Sequence, residues 1–167
     1  MKSWTIPSRR LFCRLLLVAC FAALRSVSVP AQSVFNAVAT AHAQRNALGL
    51  VRSQVNWLQN SARTASNFGV QGYGSVWRSF QELRLAFAAL TQTLTPQQKE
   101  YGANELAELN AGLDTIEGAF TNCQNDIAGG RPARVALANM CRVLRQGSTL
   151  WLQELNKTSS RLKIGRG

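Results

Sequence analysis

The sequence predicts an all-α protein, either an antiparallel four-helix bundle or two helical hairpins, with one disulfide. Apolar residues recur at spacings of three and four along four long stretches, and the alternation typical of strands is nearly absent. Ala, Leu, Gln, Arg and Glu dominate the composition, and these residues favour helices. Breaks that contain Gly or Pro separate the stretches, so each stretch is predicted as one helix.

Residues 1–31 are predicted to be a secretory signal peptide. A basic region with Arg9, Arg10 and Arg14 precedes an apolar run over 15–24, and small or apolar residues precede a cleavage site after Ala31. The run is shorter than the roughly 20 residues that a membrane-spanning helix needs, which disfavours an uncleaved anchor. We therefore expect an exported protein, periplasmic or extracellular.

The mode of export stays open between two pathways. The segment 8–14 resembles the twin-arginine motif, but arginine pairs are also frequent in ordinary signals. The segment 17–20 resembles a lipobox, in which Cys20 would become a lipidated first residue; simple cleavage near Ala31 is preferred. Cleavage lowers the net charge from +11 to +6, because the signal carries five bases and no acid: Lys2, Arg9, Arg10, Arg14 and Arg25. This moderate charge does not favour nucleic acid as a partner.

The mature chain is divided into a helical bundle over 32–156 and a basic C-terminal tail over 157–167. It keeps Cys123 and Cys141, and two cysteines in an exported domain predict a disulfide. Both cysteines lie on apolar rows of consecutive helices, and the midpoint of their positions, 132, is close to the turn near residue 130 or 131. An antiparallel hairpin would place them within roughly one helical step of each other, at ~1.5 Å rise per residue.

The first helix is predicted over 34–66, with Ser33 as its N-cap. Its apolar residues repeat every seven positions, although Gln44 interrupts the second of two interleaved rows: Val34, Ala41, Leu48, Val55 and Ala62, with Val51, Leu58 and Ala65. Leu50 and Trp57 form a separate stripe that points away from these rows.

The other three helices follow the same logic. The second begins near Ser75 after a glycine-rich break at 69–74, and the third begins at Thr95, where Thr, Pro and Gln form a capping-box signature. The fourth follows the Gly-Gly-Arg-Pro break at 129–132, and Gly147 and Ser148 weaken its apolar row. The predicted core residues are Val76, Phe80, Leu83, Phe87, Leu90 and Leu94 in the second, Leu106, Leu109, Leu113, Ile116, Phe120, Cys123 and Ile127 in the third, and Leu137, Cys141, Leu144, Trp151, Leu155 and Leu162 in the fourth.

Charge is segregated between the helices. The third helix carries six of the eight acids, whereas the first helix and the chain after residue 130 are basic. One interpretation is complementary packing of an acidic helix against basic neighbours. The alternative is that the basic tail meets an anionic surface through Lys157, Arg161, Lys163 and Arg166.

The sequence predicts neither an enzyme nor a metal or cofactor site. His42 is the only histidine, and the chain lacks a Glu-x-x-His pair, a Cys-x-x-Cys-His motif and a phosphate-binding glycine loop. What it offers instead is surface for partners. Leu50, Trp57 and Trp77 are candidate contacts if they are exposed, and whether other segments cover them stays open at this point.

Two segments carry a family resemblance. Residues 51–63, followed after a break by the aromatic-led segment 77–83, resemble the amino-terminal half of periplasmic conjugal-transfer proteins that act as minor pilus subunits of type IV secretion. The resemblance covers 34–94 and implies protein partners in the cell envelope. A homo-oligomer is a further expected assembly. Separately, Leu94–Gln98 resembles the Leu-Thr-x-x-Gln motif of small helical periplasmic chaperones.

We therefore expect an exported, non-enzymatic interaction protein of an envelope or type IV secretion assembly. Two alternatives remain: a periplasmic bundle that binds an apolar small ligand where Gly147 and Ser148 thin the packing, and a small periplasmic chaperone.

Overall fold

The computed structural model describes residues 9–68 and 70–166, with side chains over 32–65 and 72–166. It consists of five helices over these residues, without a strand among them: α1 Arg9–Phe68, α2 Val70–Thr93, α3 Pro96–Tyr101, α4 Ala103–Ala128 and α5 Ala133–Arg161. The predicted all-α class is confirmed. No helix in the described ranges combines the length and apolarity needed to cross a membrane.

The chain divides into two units, one up to Ala39 and one from Thr40 onward. In the first unit α1 begins at Arg9, well before the predicted start at Val34. Ser33 is therefore an interior helical residue and not an N-cap. The side chains of the twin-arginine and lipobox motifs lie outside the described residues.

The second unit holds the core, and the apolar rows read from the sequence are buried there. All six predicted core residues of α2 and all six of the last helix are buried, and α4 agrees except for half-buried Leu106 and exposed Ile127. In α1 the buried part of the row begins at Ala41. The core positions were therefore readable from periodicity, because one face of each helix is apolar.

The helix boundaries differ from the prediction at two glycines. The glycine-rich break is shorter than expected: α2 starts at Val70, and Gly72 lies inside it against α1, where an added Cβ would come within 2.7 Å of Ala65 Cβ. The predicted third helix is divided at Gly102. An added Cβ at Gly102 would approach Leu162 Cδ1 to 2.5 Å, so glycine allows the C-terminal segment to pack at this point.

The predicted capping box is confirmed at the start of α3. The Gln98 backbone N–H donates to Thr95 Oγ1 at 3.2 Å, and the Thr95 backbone N–H donates to Gln98 Oε1 at 3.0 Å. The two bonds satisfy backbone donors that a helix start leaves unpaired. The motif shared with chaperones thus has an ordinary structural role here.

Polar contacts give the relative directions of neighbouring helices. Along each of two helix pairs, the residue numbers rise on one helix while they fall on the other, so both pairs run antiparallel. The contacts are Arg52–Asn156 and Gln59–Thr149 between α1 and α5, and Arg84–Asp114 and Tyr73–Gln124 between α2 and α4.

The segment predicted as a basic tail packs against the helices. Residues 157–161 complete α5, and Leu162 and Ile164 are buried. Gly165 adopts a φ of 72°, and its N–H donates to Gln44 Oε1 at 3.0 Å. The positive φ favours glycine, which turns the chain end back toward α1.

The predicted disulfide is wrong for this structure, in which Cys123 and Cys141 are buried free thiols. The spacing argument placed both cysteines at one level along α4 and α5, but a disulfide also needs their Cβ atoms to point at each other at about 3.8 Å. Burial raises the pKa of both thiols, and the Asp126 carboxylate raises the pKa of Cys123 further.

Candidate functional site

An exposed apolar stripe lies on α1. Leu50 is 48% exposed and Trp57 is 61% exposed, two turns apart on the same side of the helix. The opposite side of α1 is occupied by the core residues Val51, Val55 and Leu58. The stripe is therefore accessible to a partner, as the sequence allowed.

Trp77, the second aromatic candidate, is half-buried at the edge of the core. Its ring packs against Phe120 with centroids 4.9 Å apart and against Phe80 at 5.9 Å. Trp77 thus serves mainly to connect α2 with α4, and it leaves less surface for a partner than Trp57 does.

The basic candidates near the C terminus are partly engaged within the chain. Lys157 Nζ lies 2.6 Å from Glu154 Oε1, and Arg161 forms an ion pair with Glu105. The Arg161 guanidinium also lies over the Tyr101 ring, 5.0 Å from its centroid. The other two bases of this group are exposed: Lys163 and Arg166.

Complementary charge packing explains part of the segregation. Arg84 of α2 pairs with both Glu117 and Asp114 of α4, at 2.9 Å for Asp114 Oδ1. Two arginines of α1 act differently, since Arg52 donates to Asn156 Oδ1 at 2.8 Å and Arg45 to the Gly165 carbonyl at 3.1 Å. Ion pairs therefore join α4 to its neighbours, while Arg45 and Arg52 bind neutral acceptors.

A cavity of about 290 Å³ lies between α4 and α5, beside one of the two positions where the sequence predicted thin packing. Gly147 lines it, whereas Ser148 is buried and donates to the Arg145 carbonyl at 3.2 Å. The apolar part of the wall consists of Leu109, Gly112, Ile116, Leu150 and Trp151.

Two glycines bring α4 and α5 together around this cavity. A Cβ added at Gly112 would lie 2.8 Å from Trp151 Cδ1, and one added at Gly147 would lie 3.1 Å from Ile116 Cγ1. The Trp151 ring is held by its Nε1–H, which donates to the Leu109 carbonyl at 2.7 Å. Packing and a hydrogen bond thus both hold the indole of this wall in place.

Sequence reasoning missed the role of Gln44, which it treated as an interruption of an apolar row. Gln44 is buried, and its Nε2 donates to the Thr93 carbonyl at 3.0 Å and to Gln98 Oε1 at 2.7 Å. Its Oε1 accepts from Gly165, so one amide joins α1, the end of α2, α3 and the C-terminal turn. A polar residue on an otherwise apolar row was the available signal, because a buried amide needs partners.

No three His, Cys, Asp or Glu side chains lie where they could hold one metal ion among the side chains that the structure describes, over 32–65 and 72–166. His42 is exposed, and its Nδ1 lies 3.2 Å from Asn46 Nδ2. Comparison of the chain with protein-family models, curated proteins and solved structures gives no match.

Proposed function

We propose that this protein is exported and acts without catalysis, by binding other proteins in a cell-envelope or type IV secretion assembly. The exposed stripe of Leu50 and Trp57 carries the proposal. Tryptophan is enriched among the residues that dominate binding energy at protein interfaces. A partner that covers Trp57 would remove a large apolar surface from water, which favours binding.

An antiparallel four-helix bundle of α1, α2, α4 and α5 is the arrangement that the pairwise contacts support. In it α3 is a short connection, and the stripe on α1 faces outward along one edge. A regular bundle surface of this kind also suits contact with a second copy of the chain, so homo-oligomers are among the expected partners.

Export predicts cleavage after Ala31. Mass spectrometry of the protein from an envelope fraction of its organism should give a chain that begins at Gln32. The free thiols are compatible with an oxidising compartment, because burial keeps Cys123 and Cys141 from solvent oxidants. Recovery of the full chain from the cytosol alone would contradict the export proposal.

Site-specific crosslinking tests the partner proposal. A photoreactive phenylalanine analogue at position 57 should give a discrete adduct with an envelope protein or a second copy, and mass spectrometry identifies which. The same analogue at exposed Asn56, next in the chain but on a different side of α1, is the matched control. Equal or absent adducts at both positions would count against the stripe as an interface.

The second candidate function is binding of a small ligand in the cavity between α4 and α5. The specific observation in its favour is the apolar wall of this half-open cavity next to Gly147, where the sequence predicted thin packing. Its volume of about 290 Å³ lies near the lower end of known ligand pockets. For the chaperone alternative, the shared motif at Leu94–Gln98 adds no support, since it is used as a helix cap.

A further inference from the structure

The cavity between α4 and α5 carries only negative charge on its walls. Three carboxylates line it, Glu105 and Glu108 from α4 and Glu154 from α5, whereas no Lys or Arg is among its lining residues. The rest of the wall is apolar apart from two threonines. An ordinary apolar gap has no charged groups at its edge. Here carboxylates lie beside an apolar surface that a ligand could cover.

The partners of these carboxylates leave one negative charge uncompensated. Glu105 pairs with Arg161 and Glu154 with Lys157, in both cases with bases outside the cavity lining. Among the described residues, Glu108 has no ion-pair partner. The three carboxylates, together with the two bases that pair with them, carry a net charge of −1. A single positive charge would therefore balance the site.

One carboxylate oxygen is also buried without a hydrogen bond. Glu105 Oε1 takes part in the Arg161 pair, while Glu105 Oε2 is inaccessible to solvent and has no partner. A buried oxygen that gives up water without a replacement bond carries a desolvation cost. Because water does not reach this oxygen, its negative charge is screened less than that of an exposed carboxylate.

A metal ion does not satisfy these conditions. The three carboxylates do not lie close enough to hold one ion, as noted above for the described residues. Hard cations need several oxygens at about 2.0–2.6 Å around one point. An organic cation needs only one or two of the carboxylates, and its apolar body can cover Leu150, Ile116 and the Trp151 ring.

We propose that the cavity binds a small organic monocation with an apolar body, of which an arylalkylamine is the simplest example. The ammonium lies toward Glu105 and Glu108, and the apolar body lies against Ile116, Leu150 and Trp151. This inference rests on the second candidate function, because it names the ligand class for the same cavity.

Three probes of nearly equal shape separate charge from apolar contact: phenethylamine, 2-phenylethanol and phenylacetate. We expect titration of the purified full chain, followed by calorimetry and tryptophan fluorescence, to give one saturable site for the amine. The amine should bind about tenfold more tightly than the alcohol, because its hydrogen bonds are charge-assisted. Phenylacetate should bind most weakly, since its negative charge is repelled by the carboxylates of the cavity wall.

Three variants test the position and the charge of the site. Thr115→Lys introduces a tethered ammonium at an exposed lining position and should weaken phenethylamine binding at least tenfold by competition. Ala107→Lys, exposed on α4 outside the lining, is the control for added charge and should leave binding unchanged. Glu108→Gln should weaken the amine several-fold and leave the alcohol unaffected.

The outcomes distinguish this inference from the function on which it rests. Equal binding of the amine and the alcohol, both lost in Thr115→Lys, would keep the ligand-binding function and overturn the cation class. No binding of any probe at millimolar concentration would overturn both. Binding that survives Thr115→Lys would place the ligand elsewhere and also overturn the inference.

Discussion

The two faces of α4 are packed in opposite ways. Toward α2, Phe120 meets a cluster of large aromatic side chains, and Arg84 adds ion pairs along the edge. Toward α5, Gly112 lies under the Trp151 ring, Gly147 lies against Ile116, and a cavity remains beside them.

The difference teaches that close approach and full packing are separate properties. Aromatic rings fill the space between α2 and α4, so truncation of one of these rings should leave a large cavity. Glycines let α4 and α5 approach closely, yet they supply no side-chain atoms to fill the space beside them. The α4–α5 contact therefore combines a precise fit at two points with room for a ligand.

The largest effect is expected at the aromatic contact. Phe120→Ala should lower the free energy of unfolding by about 3–5 kcal/mol, since it leaves a cavity in a filled region. Phe120 is 2% exposed, and its ring lies 5.7 Å from Tyr73 and 5.5 Å from Phe80 between centroids. Urea unfolding followed by circular dichroism measures the change. Leu85→Ala, at an exposed position of α2, is the control, and a similar loss in both variants would contradict the contrast.

An intermediate effect is expected at the glycine contact. Gly112→Ala should destabilise the protein by about 1–3 kcal/mol, because its Cβ overlaps a Trp151 ring that packing and a hydrogen bond hold in place. Gly118→Ala is the matched control in the same helix, since an added Cβ there meets nothing within 4 Å. It should stabilise by about 1 kcal/mol through helix propensity. If Gly112→Ala and Gly118→Ala change the thermal unfolding temperature in the same direction, the structure tolerates an added methyl group at position 112.

The smallest effect concerns the thiols near the turn that joins α4 and α5. Burial raises the pKa of Cys123 and Cys141, so the folded chain keeps these protons at a pH where the unfolded chain has lost them. Stability should therefore be unaffected below the ordinary thiol pKa of about 8.5 and should decline as the pH rises above it. Urea unfolding of the wild type and of Cys141→Ala across pH 7.5–10 measures this, and the decline should be shallower in the variant.

Alkylation compares the two thiols directly. Both should react slowly with iodoacetamide in the folded protein, and Cys123 should react first because it lines a small cavity with Tyr73 and Leu137. Peptide mass mapping over time gives the order. Rapid and equal labelling at pH 8 would show that this end of the helix pair opens readily.

Much of the fold was predictable from periodicity and helix-terminal chemistry. The rows that contain Val55, Phe80, Leu113 and Leu144 are buried as expected, and the cap at Thr95 forms both of its bonds. These features depend on residues close in sequence, whose relative positions on one helix are known before any packing occurs. The same local logic correctly located Leu50 and Trp57 on an outward side.

The sequence predictions that were wrong or incomplete concern contacts between helices. Equal distance from a turn suggested a bond between Cys123 and Cys141, but the direction of each side chain depends on how the helices are rotated against each other. The sequence predicted only that Gln44 interrupts an apolar row, because its hydrogen-bond partners on α2, α3 and the C-terminal turn are far from it in the chain. In the predicted basic tail over 157–167, the sequence placed only Leu162 in the core, whereas the structure also buries Ile164 there.

The sequence by itself determined that the chain is helical, which face of each helix is buried and where α3 starts, because these follow from spacings of three and four and from local hydrogen bonds. Only the tertiary structure decided that the thiols are unpaired, that Gln44 joins three helices and the chain end, and that three carboxylates border one apolar cavity. Those properties depend on the rotation and separation of neighbouring helices, which side chains far apart in the chain set together.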